Sequence, residues 1–339
     1  MPTCIYCRAE QDQPFVGVDH VVPEAFWPFN QPRMVLECVC AECNGYLGRG
    51  IEQLFNRDSV EGLLRATFGL RTKQEGVRLG GKRLGMSVAE ASDWNAVPVF
   101  GERNSRARNC TLRPYPTVLV RRKGDDGWKV IREPDVNAEA LEAYLPNPEV
   151  LVCGPTEKDT GRLQQRLADL GIRFKGWSNE PRIGLAPVFA NSPNDDVTLR
   201  AVAKIAFNFL AHTQEACFAL KAEFDDIRNY IRHGLLPSSG PPVQIMVNRL
   251  LRDQGRLRPR HAVVLNWDLE KRAILCLVTL FGYQLYQVTL CRRFYGLWRR
   301  LDAGCIFDLQ ERTIRDIPGL DLWPPIAWAR AFWGDFAEL

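Results

Sequence analysis

The sequence has no apolar run long enough to cross a bilayer. Its most apolar stretch, residues 273–281, has the length of a buried strand, well short of the roughly 20 residues a membrane-spanning helix needs. The chain starts Met-Pro-Thr-Cys with no basic region leading into an apolar segment, so no secretory signal is visible and a cytoplasmic location is expected. There is no internal repeat and no low-complexity tract, which leaves no sign of a repeat architecture. There is also no helix-turn-helix, homeodomain or RNA-binding signature to read bases one by one. Net charge is scarce as well, only +4 over 339 residues. A hydrophobic content of 46% and a charged content of 25% are those of a globular protein, and the length predicts more than one domain.

Cysteine is present in quantity and is unevenly placed. Five of the 11 cysteines lie within the first 43 residues, while Cys110, Cys153, Cys217, Cys276, Cys291 and Cys305 are scattered singly through apolar sequence. A chain without a secretory signal is not expected to carry a disulfide framework, so the scattered six read as small core residues. The N-terminal group is different, because Cys4-x-x-Cys7 and Cys40-x-x-Cys43 are two pairs at zinc-ligand spacing. Each short loop presents two sulfurs to one metal, and four thiolates suit tetrahedral Zn2+. Cys38 is an alternative to Cys40 as the third ligand, although the two-residue spacing favours Cys40. A zinc ribbon that only binds a partner would satisfy the same pattern.

Between the pairs, Asp19-His20 interrupts the apolar segment Val16-Gly17-Val18 and Val21-Val22-Pro23, and Asn44 follows the last cysteine directly. A zinc site would fix Asn44 in the first turn of a helix beside the Asp-His strand. The order CxxC, Asp-His, CxxC-Asn, with Gly45-Tyr46-Leu47-Gly48 and Ile51-Glu52 after it, resembles the zinc-stapled branch of the HNH endonucleases over about residues 4–55. The resemblance implies a ββα-metal module, with a β-hairpin carrying the Asp-His pair, a helix carrying the last residue and one catalytic cation between them. It also implies products with a 5′-phosphate and a 3′-hydroxyl, and a setting in bacterial restriction or anti-phage defence. The family's middle Asn has no counterpart in residues 34–39, where Asn30 is nearest, and Leu47 stands where many relatives carry Lys or His.

Phosphodiester hydrolysis needs an activated water and stabilisation of charge on the phosphate. His20 is the candidate general base, since an ordinary imidazole is largely neutral at cellular pH. Asp19 and Asn44 offer hard oxygen ligands suited to Mg2+ or Mn2+. A non-catalytic zinc-dependent nucleic-acid or partner-binding protein, and a mobile-element or junction-processing nuclease, are the alternative readings.

The small net charge conceals an alternation. Residues 1–60 carry four basic and eight acidic side chains, whereas residues 61–130 carry 14 and seven, and residues 248–315 carry 13 and six. An acidic catalytic segment does not hold a phosphate backbone by itself, so DNA, with RNA not distinguished from it, is expected to bind the basic segments. The candidate contacts are Arg103, Arg106, Arg108, Arg121, Arg122 and Lys123, together with Lys82-Arg83, Arg113 and a later group comprising Arg256, Arg258, Arg260, Arg292, Arg293, Arg299 and Arg300.

The expected fold class is α+β, with a nuclease module at residues 1–66 and a larger domain with an antiparallel sheet at residues 67–339, serving nucleic-acid binding, sensing or a protein partner. A helix is expected from about residue 44 to 55, extending toward residue 66. A hairpin turning at residues 123–127, helices over 136–145, 156–170 and 224–232, and a strand meander over 262–290 follow from pattern and turn chemistry. Along the helix beginning near Leu199, Arg200, Lys204, Asn208 and His212 recur every four residues. They read as a solvent-facing stripe, with a ligand or phosphate contact as the alternative. Trp323, Trp328 and Trp333 are expected to dock the C-terminal tail onto the body, a protein interface being the other use.

Overall fold

A computed structural model of the chain describes residues 1–27, 34–68, 70, 78–79, 85–88, 97–104, 109–172, 188–191, 196–248, 260–268, 270–295 and 303–317. The chain divides into two compact units, one formed by residues 1–56, 70–72 and 194–339 and the other by residues 57–69 and 73–193. Mixed helix and antiparallel sheet make this an α+β architecture. The division differs from a boundary after residue 66, because the first 56 residues share a unit with the C-terminal part of the chain. A segment this short has little core of its own, and it buries Tyr6, Phe26, Leu36, Ile51 and Phe55 within the larger unit.

In that unit, strand β1 (Asp19–His20) pairs antiparallel with β2 (Val35–Leu36), Asp19 opposite Leu36 and His20 opposite Val35. Helix α1 (Ala41–Leu47) follows, continues through a π-helical turn at Gly48–Glu52 and resumes as α2 (Gln53–Asp58). The helix therefore starts three residues before the expected residue 44 and breaks at Ser59; α3 (Val60–Thr67), beyond the break, belongs to the second unit.

The second unit holds β3 (Arg78–Leu79), β4 (Gly85–Val88), β5 (Pro98–Asn104), β6 (Asn109–Pro114), β7 (Thr117–Arg122), β8 (Lys129–Arg132), α4 (Ala138–Glu142), β9 (Pro148–Cys153), α5 (Glu157–Asp169) and β10 (Val188–Asn191). Strands β7 and β8 form the expected hairpin, with Gly124 at φ +99° in its turn, where an L side chain would be strained. Asn137 and Thr156 cap α4 and α5 by accepting the amides of Ala140 and Asp159. The three-stranded sheet β8-β7-β9 and these helices enclose a core of Val118, Val120, Ile131, Leu141, Val152, Leu163 and Leu167.

The chain then returns to the first unit with α6 (Asp196–Gln214), α7 (Ala216–Ala219), α8 (Asp225–His233), β11 (Val243–Asn248), β12 (Arg260–Asp268), β13 (Ala273–Leu280), β14 (Gln284–Cys291), β15 (Ala303–Asp308) and β16 (Thr313–Ile317). The six strands form an antiparallel sheet in the order β11-β14-β13-β12-β15-β16, so the expected meander is its centre. All eight residues of β13 are buried, which explains why that strand reads as a continuous apolar run rather than an alternation. Helix α6 packs on β12, β13 and β14 and also against β2 and the π turn. It is accordingly buried around most of its circumference.

Four of the scattered cysteines, Cys153, Cys276, Cys291 and Cys305, are buried as expected, but Cys217 is exposed in the short helix α7. The side chain of Cys110 and the whole Trp-rich tail lie outside the described residues. Among the described residues, no helix is long and apolar enough to cross a membrane.

Candidate functional site

The first cysteine knuckle is a tight turn. The Arg8 amide donates to the Cys4 carbonyl and the Cys4 amide to the Ala9 carbonyl, with Arg8 at φ +60°. The second begins where Cys40 caps α1, its sulfur accepting the Cys43 amide at 3.4 Å. The Cys40 amide donates to the Cys4 sulfur, also at 3.4 Å, and this bond joins the two knuckles. The sulfurs of Cys4, Cys7, Cys40 and Cys43 all lie within 4.8 Å of one another, and those of Cys7 and Cys40 are 3.6 Å apart. Tetrahedral zinc with bonds of about 2.3 Å holds its sulfurs about 3.8 Å apart, so the four fit one ion. Cys38 is outside this set, and its backbone carbonyl accepts the Ile5 amide instead.

The electrostatics of the cluster favour a cation. A hydrogen bond from the Cys43 thiol pulls the Cys4 pKa down to about 4, and the same bond drives Cys43 upward. Burial raises Cys7. One thiolate is thus stabilised by its neighbours while further thiolates are opposed, and a bound divalent ion removes that conflict.

Next to this cluster, Asn44 projects from the first turn of α1 and donates its Nδ2 to the Val18 carbonyl at 3.1 Å, tying the helix to the residue before Asp19. Asp19 is buried at 2% exposure and His20 is half-buried. The Asp19 carboxylate is held from three sides. Its Oδ1 accepts the His20 amide at 2.8 Å and Lys204 Nζ at 2.7 Å, and its Oδ2 accepts Asn208 Nδ2 at 3.1 Å. Lys204 Nζ is also 2.7 Å from Glu52 Oε1. Asn208 Nδ2 donates a second bond to the His20 carbonyl at 2.9 Å, while Asn208 Oδ1 accepts the Tyr6 hydroxyl at 2.6 Å. Tyr6 itself sits inside the Cys4-x-x-Cys7 knuckle.

Lys204 is 1% exposed. Burial lowers its affinity for a proton, but the carboxylates of Asp19 and Glu52 outweigh that and hold its pKa above the ordinary lysine value. The same burial, with Asp19 and Glu52 nearby, holds Tyr6 well above the usual phenol range, so its hydroxyl stays a donor.

The stripe on α6 is therefore not a solvent-facing one. Lys204 and Asn208 are fully buried against the Asp-His strand. Arg200 reaches the carbonyls of Ile231 and Arg232 at the end of α8, and only His212 is exposed. Equal spacing of four reports a shared helix face without reporting what covers it. Tyr6, Glu52, Lys204 and Asn208 were not among the residues expected at this site. The sequence signal that could have found Lys204 is the lone lysine within the otherwise apolar run 201–207, since a charge at a core position demands a buried partner.

Of the basic candidates, Arg121 spends its guanidinium on Glu149 at 2.6 Å and on the Trp128 ring at 4.3 Å. Arg122 and Lys123 are exposed at the hairpin turn, although Arg122 Nε also donates to the Ala143 carbonyl. Arg260 is paired with Asp308 at 2.8 Å. Arg103 lies in β5, with its side chain outside the described residues, as are Arg106, Arg108, Lys82, Arg83, Arg256, Arg258, Arg299, Arg300 and Asn30 altogether. No family model, curated protein or solved structure matches this chain.

Proposed function

We propose that the chain is a metal-dependent endonuclease of the HNH type that hydrolyses DNA phosphodiester bonds, with a structural zinc ion on Cys4, Cys7, Cys40 and Cys43. The observation that supports this most directly is the bond from Asn44 to the Val18 carbonyl, 3.1 Å long, beside the four-cysteine cluster. It ties the helix carrying the amide to the residue that leads into the strand of Asp19 and His20, so the three candidate residues lie on adjoining elements.

In this reading, His20 takes the proton of the attacking water. Asp19 has about four acceptor positions and fills three, with Lys204, Asn208 and the His20 amide. It can therefore act as a single-oxygen ligand, and the Asn44 amide oxygen is the companion donor. Mg2+ or Mn2+ held there would supply Lewis-acid stabilisation of phosphate charge. The ammonium of Lys204 limits the negative charge that the site presents to an incoming backbone. DNA is held by the basic segments, of which Arg122 and Lys123 are exposed. Action in bacterial restriction or anti-phage defence belongs to the same proposal.

A second reading is a non-catalytic zinc-dependent binding protein. The Lys204–Asp19 ion pair, with side chains 2% and 3% exposed, favours it, because it balances the Asp19 charge without a metal ion. Incubating the full chain with supercoiled plasmid and Mg2+ or Mn2+ separates the two. Cleavage that disappears in His20→Ala, while zinc content and DNA binding persist, is expected of the nuclease. Undiminished cleavage by that variant, or none by the wild type, rejects it.

A further inference from the structure

We infer that Tyr6 and Asn208 are positioning residues, a hydrogen-bonded bracket that transmits the placement of the zinc knuckle to the Asp19-His20 strand. The inference rests on the nuclease reading for its kinetic consequence, but its geometry stands independently.

The Asn208 side chain is 0% exposed, and both ends of its carboxamide are engaged by the site. Its Nδ2 bonds to the Asp19 carboxylate at 3.1 Å and to the His20 carbonyl at 2.9 Å, residues 189 and 188 positions away in sequence. Its Oδ1 takes the Tyr6 hydroxyl at 2.6 Å. A leucine there would avoid the cost of desolvating an amide but would leave the Tyr6 hydroxyl, an Asp19 oxygen and the His20 carbonyl without this partner. What the carboxamide adds is direction. A planar group with a fixed donor end and a fixed acceptor end can be satisfied in this way only if Tyr6, Asp19 and His20 keep one relative placement.

Tyr6 is itself located by its neighbours. Cys4 and Cys7 flank it, and its ring meets Phe207 edge-on with centroids 5.6 Å apart. The path from the cysteine cluster to the backbone of His20 therefore runs through two side chains and two short bonds. The bracket holds the main chain of His20 rather than its ring, and so sets where the imidazole is carried. Misplacement of a reacting group by about 1 Å can cost about a hundredfold in rate, which is the scale on which such a bracket matters.

The test uses Asn208→Leu, which keeps the number of side-chain heavy atoms and removes both donor and acceptor, and Tyr6→Phe, which removes one oxygen and keeps the ring. Leu210→Ala, in the buried face of the same helix, serves as a control that loosens packing without touching the bracket. Under saturating plasmid and Mg2+, the turnover rate is expected to fall about 10- to 100-fold in Asn208→Leu and about three- to tenfold in Tyr6→Phe. DNA affinity and zinc content should stay within twofold of wild type. Leu210→Ala should lower thermal stability and leave turnover unchanged.

The second readout needs no catalytic cation. The chain has four histidines, so the ring resonances of His20, His212, His233 and His261 can be followed in isotope-labelled full-length protein. The bracket variants should move the His20 signal and leave the other three in place. If Asn208→Leu does not fold, Tyr6→Phe decides by the same two measurements. A His20 resonance and a turnover both unchanged in a folded bracket variant overturn the inference. If the wild type cleaves nothing, the nuclease reading fails, and the resonance alone decides: a His20 signal moved selectively supports the bracket, and an unmoved one overturns it.

Discussion

Replacing Lys204 by Met isolates the energetics of the buried ion group. The substitution keeps an unbranched chain of similar length and removes one positive charge from between two carboxylates, each 2.7 Å from Nζ. Side-chain exposures of 2% for Lys204 and 3% for Asp19 leave no water to replace the ammonium at Asp19, whereas Glu52, at 18%, is partly solvated. Removing one partner of a buried pair costs about 3–5 kcal/mol, chiefly because the other charge stays behind uncompensated. Most of that cost should fall on Asp19, so a loss of about 4 kcal/mol is expected. For a unit of about 200 residues, this corresponds to roughly 8–16 °C in melting temperature. Urea unfolding with excess zinc, followed by tryptophan fluorescence, measures it. If the stranded carboxylate is the cause, adding Asp19→Asn to Lys204→Met should recover at least about 2 kcal/mol relative to the sum of the single losses. A Lys204→Met protein within about 1 kcal/mol of wild type, or a double variant that is simply additive, would refute the assignment of Lys204 as the compensating charge.

The zinc site predicts about one zinc per chain by elemental analysis, and Cys4→Ser or Cys43→Ser should lose the metal together with the fold of residues 1–56; well-folded wild-type protein without zinc would count against it. His261 is fully buried, its Nδ1 accepting the Phe281 amide at 3.0 Å, and burial holds its pKa down to about 3 against an ordinary 6.5. Above pH 6.5 it is neutral both folded and unfolded; as pH falls from 6.5 to 3 only the unfolded chain takes the proton, so stability should drop by up to about 1.4 kcal/mol per pH unit. His261→Phe should remove this part of the slope in urea midpoints taken between pH 7.5 and 4.5, and identical slopes would exclude His261 as its origin. Neutralising Arg103, Arg106 and Arg108 together should flatten the salt dependence of DNA binding by up to about three units of logarithmic slope, about 0.9 for each phosphate contact. His20→Ala should leave that slope unchanged, and a triple variant with the wild-type slope would move the DNA footprint elsewhere.

The parts legible in sequence were those fixed by local chemistry. Two CxxC pairs bring four sulfurs together as one metal would need, Thr156 and Gly171 bracket α5, and the glycine in the 123–127 turn permits the hairpin. Each is decided within a few residues, so one sequence suffices. The interior of the site was not legible, because its parts are distant in the chain: Lys204 meets Asp19 across 185 residues and Glu52 across 152. Periodicity places Lys204 and Asn208 on one face of α6, but polarity argued that this face meets water when it meets a buried aspartate. Arg228 shows the same limitation. On α8 it has the look of a surface arginine in sequence, yet it is 3% exposed and its guanidinium donates to the carbonyls of Ile5 and Ala219. The π turn at Gly48–Glu52 also escapes a reading based on 3.6-residue spacing, and Glu52, the end of that turn, is the residue that reaches Lys204.

The interruption of one unit by another orders events on the ribosome. Residues 1–56 are made first, but α6, which supplies Lys204 and Asn208, ends at Gln214. At about 5–20 residues per second, the intervening chain takes on the order of 10–30 s to synthesise. During that time a nascent Asp19 has no ammonium to meet, and the strand carrying His20 has nothing to pack against. All four cysteines that could hold a zinc ion are already in hand in this interval. The Asp-His site must wait until the second unit has been produced and the chain has come back to complete the first. Synthesis thus separates completion of the four-cysteine set from assembly of the buried cluster of Asp19, Lys204 and Asn208, and a ribosome stalled before Lys204 would display the knuckles without those partners.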